Sequence, residues 1–307
     1  MTVSHRLAGL DLGTNTFLLL IADVRENALA PLFEKETVVR LGKGVDAHGN
    51  LNDEAMQRGL ACMREYAALA REYGCEKISA VGTSALRDAK NREAFLQLLQ
   101  QETGIAVNVI SGETEARLTY RGALSNKRTL PEPLAIIDIG GGSTEVVFGT
   151  HTQITRARSA DIGSVRLTER IFQHDPVRAE EVQTFRAVVE QVMRDTWPFA
   201  ELENVASMLG TAGTITTLAA MAQGLTQYEP ERIDNFALSF NTLSEIVATL
   251  VRLPIAERKQ LPGLSPGRAD VILAGALLLE TFMRIYRFEQ IVVSNRGLRH
   301  GVVLAIE

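Results

Sequence analysis

The strongest constraint on the fold is an internal repeat of a strand-turn-strand segment. Leu7–Gly13 aligns with Leu134–Gly140 at an offset of 127 positions, the distance from Asp11 to Asp138. The same offset places Thr16 opposite Ser143. A repeat this long predicts two duplicated domains, because solenoid repeats have shorter periods.

A polar stretch that contains two prolines separates the two copies, and such stretches are typical of domain boundaries. It covers Asn126–Pro133. We therefore expect a first domain over residues 1–123, which the C-terminal segment 297–307 can complete, and a second domain over residues 124–296. A chain of 307 residues is long enough for two domains of ordinary size.

Hydrophobic periodicity and turn residues predict the elements of both halves. The first half alternates strands and helices, and Asn52 or Asp53 caps its first helix. Its expected strands are Leu7–Leu12, Phe17–Ala22, Leu29–Leu41, Lys77–Gly82 and Ile105–Ile110, and its expected helices cover residues 56–70, Arg92–Thr103 and Gly112–Ser125. The second half is richer in helices. Its expected strands are Leu134–Gly140, Thr144–Phe148, Val205–Leu209 and Ile291–Val293, and its expected helices are Ser164–Ile171, Ala179–Thr196, Thr214–Ala222, Thr242–Leu253 and Arg268–Tyr286.

The composition excludes several classes of protein. The net charge of −5 argues against broad binding of nucleic acid. Two cysteines are too few for a disulfide framework, so a cytoplasmic location is expected. The most apolar stretch, Val271–Leu279, is too short to cross a bilayer and predicts a buried helix.

A polyanionic ligand would need a local basic surface on this acidic chain. Eight basic residues are candidates for such a track, and the alternative is a set of solvated side chains that never converge. They are Arg117, Arg121, Lys127, Arg128, Arg156, Arg158, Arg166 and Arg170.

The two repeated turns have a composition suited to binding phosphate. Glycine lets the backbone turn tightly and approach a ligand, and successive N–H groups form a concave anion site. The phosphate-binding candidates are Gly13, Thr14, Asn15, Thr16, Gly140, Gly141, Gly142, Ser143 and Thr144. Three carboxylates beside these turns, Asp11, Asp138 and Glu145, are candidate ligands of Mg²⁺, which prefers oxygen donors. The alternative interpretation is two ordinary hairpin turns.

A third loop, Gly210–Thr214, lies between an expected strand and an expected helix. The N-terminus of a helix attracts anions through its dipole and its N–H groups. Gly210, Thr211 and Gly213 are therefore further phosphate-binding candidates. A tight strand-to-helix connection without a ligand is the alternative.

These loops resemble those of the actin-like superfamily, and five segments resemble one family within it over essentially the whole chain. The family is the exopolyphosphatase / guanosine pentaphosphate phosphohydrolase family, and the segments are Thr83–Arg87, Ile110–Arg117, Asp138–Glu145, Arg268–Asp270 and Asn295–Gly301. The resemblance implies an α/β fold of two ribonuclease H-like (actin-like) domains with the active site in the interdomain cleft. It also implies Mg²⁺-dependent release of terminal phosphate.

The resemblance assigns roles to individual residues. Glu115 matches the general base of the family, and Asp138 and Glu145 match its acidic pair around metal and water. Arg87 matches an arginine of the phosphate-binding wall, and Arg268 is a further phosphate-binding candidate. The expected catalytic residues are thus Glu115, Glu145 and Arg87. Without the resemblance, Glu115 would be read as a solvated helix residue, because isolated charged side chains are normally exposed.

Three positions depart from the family pattern. Thr114 stands where many relatives carry Glu, and Asn295 and His300 stand where the closing motif often has Asp and Glu. None of them is a catalytic candidate, so these departures bear on substrate preference. Longer relatives carry a helical C-terminal extension, and the chain is expected to be a short member.

The expected function is therefore Mg²⁺-assisted hydrolysis of the terminal phosphate of inorganic polyphosphate. Two alternatives stay open: hydrolysis of guanosine pentaphosphate or a nucleoside triphosphate, and a low-turnover sensor of an alarmone or nucleotide. The expected partners are polyphosphate or guanosine pentaphosphate and tetraphosphate, with neither nucleic acid nor membrane. A homodimer is left open.

Overall fold

The computed structural model describes residues 4–26, 28–126 and 129–306. Its contacts divide the chain into unit 1, Met1–Arg128 with Arg296–Glu307, and unit 2, Thr129–Asn295. The first boundary between the units therefore lies after residue 128, later than the predicted boundary at residue 123. Ser125, which lies beyond that predicted boundary, accepts a hydrogen bond from Arg296 Nη1 at 3.1 Å, and both residues belong to unit 1.

Unit 1 is built around a mixed five-stranded sheet. Its elements up to the change of unit are β1 (His5–Leu12), β2 (Thr16–Arg25), β3 (Ala28–Val38), α1 (Val45–His48), α2 (Asp53–Glu72), β4 (Lys77–Gly82), α3 (Ser84–Asp88), α4 (Arg92–Thr103), β5 (Val107–Val109) and α5 (Gly112–Ala123). The strand order is β3-β2-β1-β4-β5. The first three strands are antiparallel, whereas β4 and β5 run parallel to β1.

Unit 2 repeats this arrangement in a six-stranded sheet. Its elements are β6 (Leu134–Ile139), β7 (Thr144–Gly149), β8 (Ile154–Ala160), α6 (Ser164–Ile171), α7 (Ala179–Thr196), α8 (Phe199–Leu202), β9 (Ser207–Thr211), α9 (Ala212–Ala222), α10 (Pro230–Ile233), β10 (Ala237–Ser239), α11 (Phe240–Arg252), α12 (Ile255–Arg258), a 3₁₀ turn (Pro266–Arg268), α13 (Ile272–Tyr286) and β11 (Gln290–Val293). The chain then returns to unit 1 with α14 (Leu298–Leu304). In the order β8-β7-β6-β9-β11-β10, the antiparallel meander β6–β8 again lies beside parallel strands, β9 and β11, and β10 pairs antiparallel with β11 at the edge.

The two sheets confirm the predicted fold class of two ribonuclease H-like domains. Most predicted elements are also present, and Asn52 caps α2 by accepting a hydrogen bond from Ala55 N at 2.8 Å. Several bounds were wrong by two to four residues. The helix expected from Arg268 begins at Ile272 after the 3₁₀ turn, and the strand expected over residues 105–110 covers Val107–Val109.

The apolar stretch of the second half forms the buried helix that was predicted. Every residue of α13 except Arg284 is buried, and the helix packs in the core of unit 2 with Ile137, Phe185 and Ile215. In the described part of the chain, no helix is long and apolar enough to cross a membrane.

Helices α5 and α14 of unit 1 approach each other backbone to backbone. A Cβ atom on Gly122 would lie 2.0 Å from the carbonyl oxygen of Gly297, and one on Gly301 would lie 1.9 Å from that of Leu118. Neither carbonyl can move without distorting a helix. The crossing therefore fixes α5, which carries Glu115 near its N-terminal end.

We expect Gly301→Ala to destabilise unit 1 by about 1–3 kcal/mol or more, the usual cost of overpacking. Gly59→Ala in α2 is the matched control, because its added methyl group meets the ring tip of Phe95 at 2.9 Å rather than a backbone atom. A Gly-to-Ala change in a helix gains about 1 kcal/mol of helix propensity in both variants. Urea unfolding measures the free energy of unfolding of both variants. An equal loss of stability in Gly301→Ala and Gly59→Ala would contradict the role of the backbone contact.

Candidate active site

The β1–β2 turn of unit 1 is tight and anchored. Gly13 N donates to the carbonyl of Thr16 at 3.1 Å, and a Cβ on Gly13 would lie 2.7 Å from that oxygen. The carbonyls of Thr14 and Asn15 accept hydrogen bonds from Gly42 N and Arg40 N at 2.8 and 2.7 Å. The predicted phosphate-binding residues Thr14, Asn15 and Thr16 are buried, as is Asp11, so their positions are set by the fold.

Glu115 and Arg87 contact each other directly in unit 1. Arg87 Nη1 donates to Glu115 Oε2 at 2.6 Å and to the carbonyl of Ile110 at 3.1 Å. Glu115 is only 8% exposed. Helix α5 begins at this point because Ser111 caps it, accepting a hydrogen bond from Thr114 N at 3.2 Å. Glu115 is thus a buried carboxylate rather than a solvated helix residue.

Two opposing effects act on the pKa of Glu115. Burial raises it, and the charge and hydrogen bond of Arg87 lower it, with burial the larger effect, so that the pKa is raised overall. A carboxylate with a raised pKa is a better general base near neutral pH. Arg87 at the same time holds the carboxylate in one orientation.

The strand register of unit 2 places four polar residues side by side. Asp138 on β6 lies opposite Glu145 on β7 and Thr211 on β9, and Glu145 lies opposite Ser159 on β8. Directly opposed residues share one face of a sheet, with Cβ atoms about 4.5–5.5 Å apart. We call these four residues the carboxylate row.

The repeat is asymmetric at this row. The counterpart of Glu145 in unit 1 is Leu18, which lies opposite Asp11. Of the two repeats, only that of unit 2 therefore opposes two carboxylates, and these are 7% and 1% exposed. Like charges placed opposite each other at a buried position repel, so the pair favours a bound cation.

The donor chemistry of this pair fits Mg²⁺. Among the described residues no three His, Cys, Asp or Glu side chains converge on a metal position. Mg²⁺ nevertheless is usually held by one or two carboxylates together with substrate phosphates and water. Asp138 and Glu145 supply such a partial set, and Asp11 lacks a carboxylate opposite it in its sheet.

Sequence reasoning missed Ser159, whose hydroxyl donates to Glu145 Oε1 at 2.7 Å. The residue lies on β8, which was not predicted because Arg156 and Arg158 break the apolar pattern of that segment. The internal repeat contained the missing signal. In the first repeat a third strand follows the hairpin, so a third strand could have been expected after β7.

The glycine loop, residues 140–143, is packed against the start of α6. A Cβ on Gly163 would lie 2.5 Å from the carbonyl of Gly141. Gly140 N donates to the carbonyl of Ser143 at 3.0 Å. The hydroxyl of Thr144, one of the predicted phosphate ligands, donates to the carbonyl of Ile162 at 2.5 Å.

Arg268 and Gly213 come from separate sequence segments and meet at the N-terminus of α9. A Cβ on Gly213 would lie 2.1 Å from Arg268 Nη1, so the guanidinium lies directly on the glycine. Gly210 has a different constraint, since its Cβ would meet Ile291 and Ile215 at 2.7 and 2.8 Å. Thr211 belongs to the carboxylate row. The structure thus brings Arg268, Gly213 and Thr211 to one end of the sheet in unit 2.

Most of the basic candidates for a polyanion track are engaged elsewhere. Arg117 pairs with Glu113, Arg156 and Arg158 pair with Glu201, and Arg121 and Arg166 donate to backbone carbonyls. Lys127 and Arg128 lie outside the described residues. At least five of the six candidates that the structure describes thus have a partner within their own unit, and the polyanion track stays a prediction.

The three departures from the family pattern have structural contacts. Thr114 Oγ1 lies 3.0 Å from Ser111 Oγ, and Asn295 N donates to Asp234 Oδ1 at 3.2 Å. His300 is 1% exposed, and burial and the neighbouring Arg299 and Arg296 hold its pKa well below the ordinary range. His300 is therefore uncharged at pH 7, whereas the glutamate of the family pattern has an acidic side chain.

Comparisons with known proteins agree with this architecture. The chain is 37% identical over 314 residues to exopolyphosphatase 2 of Mycobacterium tuberculosis, and the alignment covers 98% of each. A solved exopolyphosphatase-like protein has a TM-score of 0.94 at 33% identity, covering 98% of this chain and 97% of that one. A solved exopolyphosphatase from Cytophaga hutchinsonii has a TM-score of 0.88 at 30% identity, covering 97% and 96%. Since the sequence profile of the Ppx/GppA phosphatase family matches residues 20–307, the chain belongs to that family, as the resemblance predicted.

Proposed function

We propose that this chain is an exopolyphosphatase that releases terminal orthophosphate from inorganic polyphosphate by attack of water. The observation that carries the proposal is the buried pair Asp138 and Glu145, placed beside a glycine loop in a member of a phosphatase family. Two of the relatives described above are named as exopolyphosphatases.

Backbone groups and arginines supply the phosphate contacts in this proposal. The turn at residues 13–16 in unit 1 and the glycine loop in unit 2 offer N–H groups to phosphate oxygens. Arg268 lies at the N-terminus of α9 on Gly213, where its charge adds to that of the helix dipole. Arg87 can present a planar pair of N–H donors to a phosphate.

Glu115 is the proposed general base. It accepts a proton from the attacking water, and its raised pKa makes it a stronger proton acceptor than an ordinary glutamate. Arg87 holds Oε2 of the carboxylate at 2.6 Å. We expect this contact to fix the direction from which water is deprotonated.

Asp138 and Glu145 would hold Mg²⁺ at the carboxylate row of unit 2. The ion, when bound, neutralises charge on the phosphate oxygens and acts as a Lewis acid. Ser159 fixes Oε1 of Glu145, which orients the carboxylate, as the partners of metal ligands commonly do.

Phosphate release from long-chain polyphosphate, ATP and guanosine pentaphosphate, measured side by side, tests the proposed substrate. We expect the highest kcat/KM with polyphosphate. The Glu115→Gln variant, purified identically, controls for a contaminating phosphatase. Faster release from guanosine pentaphosphate or ATP would overturn the substrate assignment, and tight binding of an alarmone without turnover of any substrate would indicate a sensor.

A further inference from the structure

Donors at the start of α6 form hydrogen bonds with three successive carbonyls of the glycine loop. Gly140 O accepts from Ser164 N at 3.0 Å, and Gly141 O accepts from Val165 N and Arg166 N at 2.8 and 3.1 Å. Gly142 O accepts from the side chain of Arg166, whose Nε lies 2.7 Å away. The first N–H groups of α6, which a helix leaves without an internal partner, are thus capped by the loop itself.

This pattern fixes the direction of the loop N–H groups. In a planar trans peptide, the N–H of one residue points opposite to the C=O of the residue before it. Because the carbonyls of Gly140, Gly141 and Gly142 point toward α6, the N–H groups of Gly141, Gly142 and Ser143 point away from it. Three adjacent N–H groups on one side of a turn form a concave anion site.

The three peptides are not held in the same way. Backbone N–H groups of α6 bind the carbonyls of Gly140 and Gly141, and every substitution except proline keeps those donors. The carbonyl of Gly142 is bound by a side chain, the half-buried Arg166. The peptide between Gly142 and Ser143 is therefore the one whose orientation depends on a side chain.

We propose that Arg166 is a positioning residue of the phosphate site. Its Nε–H holds the carbonyl of Gly142 and thereby turns the N–H of Ser143 toward the substrate phosphate. This inference rests on the proposed function. It assigns to Arg166 a role through the backbone, in contrast to the direct contact with a polyanion expected from its charge.

Three substitutions separate the two roles. Arg166→Gln keeps an N–H donor at the same distance along the side chain but removes the charge. Arg166→Lys keeps the charge but places a methylene group where Nε stood, and Arg166→Met removes both. Positioning predicts that Gln stays within about threefold of the parent in kcat/KM, whereas Lys and Met lose about ten- to hundredfold, as expected for one hydrogen bond to a charged group.

The salt dependence of tripolyphosphate affinity provides a second readout. If Arg166 only positions the loop, Gln leaves the slope of log affinity against log salt unchanged. If Arg166 binds the polyanion directly, Gln lowers that slope by about one unit, and Lys resembles the parent. Lys resembling the parent while Gln resembles Met would overturn the proposal, as would equal activity of all three variants.

Folding and the proposed function are checked separately. Thermal unfolding measures whether each variant is folded. If Arg166→Lys or Arg166→Met unfolds near the assay temperature, the salt dependence of Arg166→Gln, the least disruptive of the three, decides between the two roles. If the parent protein released no phosphate from polyphosphate, the proposed function would fail. The order of the variants in tripolyphosphate affinity, measured by calorimetry, would still decide the role of Arg166.

Discussion

Replacing Glu115 with glutamine is expected to lower the single-turnover rate on polyphosphate by about 10²–10⁴-fold, the usual contribution of a positioned general base. This loss corresponds to roughly 3–5 kcal/mol of activation free energy. Glutamine has nearly the same shape and keeps an oxygen that can accept the hydrogen bond from Arg87, 2.6 Å from Glu115 Oε2. Substrate affinity should therefore change little, and it is measured separately with the same polyphosphate.

The pH dependence of kcat/KM provides an independent check of this role. Burial raises the pKa of Glu115, and a base works only when it is ionised. The rate of the parent should therefore fall as the pH falls through a pKa above that of an ordinary glutamate. The acidic limb should be absent from the glutamine variant, which has no proton to gain at that position.

The effect on stability has the opposite sign to the usual carboxylate case. Because the folded pKa is raised, the folded protein binds this proton more tightly than the unfolded chain does. Stability from this group is thus gained as the pH falls through the raised pKa and is lost above it. Glu115→Gln avoids the cost of burying a charge at neutral pH but leaves Arg87 without its anion.

A single-turnover rate within about threefold of the parent's, in a folded variant, would refute the assignment of Glu115, since a general base contributes far more.

Local sequence patterns predicted the parts of the molecule that depend on neighbouring residues. The hairpin turn after Asp11 and the glycine loop after Asp138 follow from strand periodicity and the conformational freedom of glycine. The repeat then predicted two domains of similar topology, which both sheets show. The position of the active site in an interdomain cleft stays a prediction of the family resemblance.

Contacts between distant segments could not be predicted in the same way. Ser159 meets Glu145 through the register of two strands, and register depends on the packing of the whole sheet face. Arg87 meets Glu115 across 28 positions, and Arg166 meets Gly142 across 24. Arg87 was expected to bind phosphate from the family resemblance and Arg166 from its charge, yet each also holds a group of the protein in position.

Removal of divalent cations is expected to abolish phosphate release, and addition of Mg²⁺ is expected to restore it. The reason is the carboxylate row, where Asp138 and Glu145 lie opposite each other and nearly without exposure. Without a cation the two charges repel each other and a bound polyphosphate. Release is measured in chelator and then across a titration with Mg²⁺. Full activity in chelator, with no metal found in the protein by elemental analysis, would refute a metal role for these residues.

The asymmetry of the repeat predicts which carboxylates matter most for the cation. Asp138→Asn and Glu145→Gln should each raise the Mg²⁺ concentration needed for half-maximal thermal stabilisation, measured without substrate so that activity plays no part. Asp11→Asn is the matched control, because Leu18 stands opposite Asp11 where Glu145 stands opposite Asp138. Its effect on Mg²⁺ binding should be the smallest of the three. The loss of Mg²⁺ affinity in Ser159→Ala should lie between that of Asp11→Asn and those of Asp138→Asn and Glu145→Gln, since the loss of a residue that orients a metal ligand typically costs about 10–100-fold in affinity. If Asp11→Asn weakened Mg²⁺ binding as much as Asp138→Asn did, the assignment of the cation to the carboxylate row would be wrong.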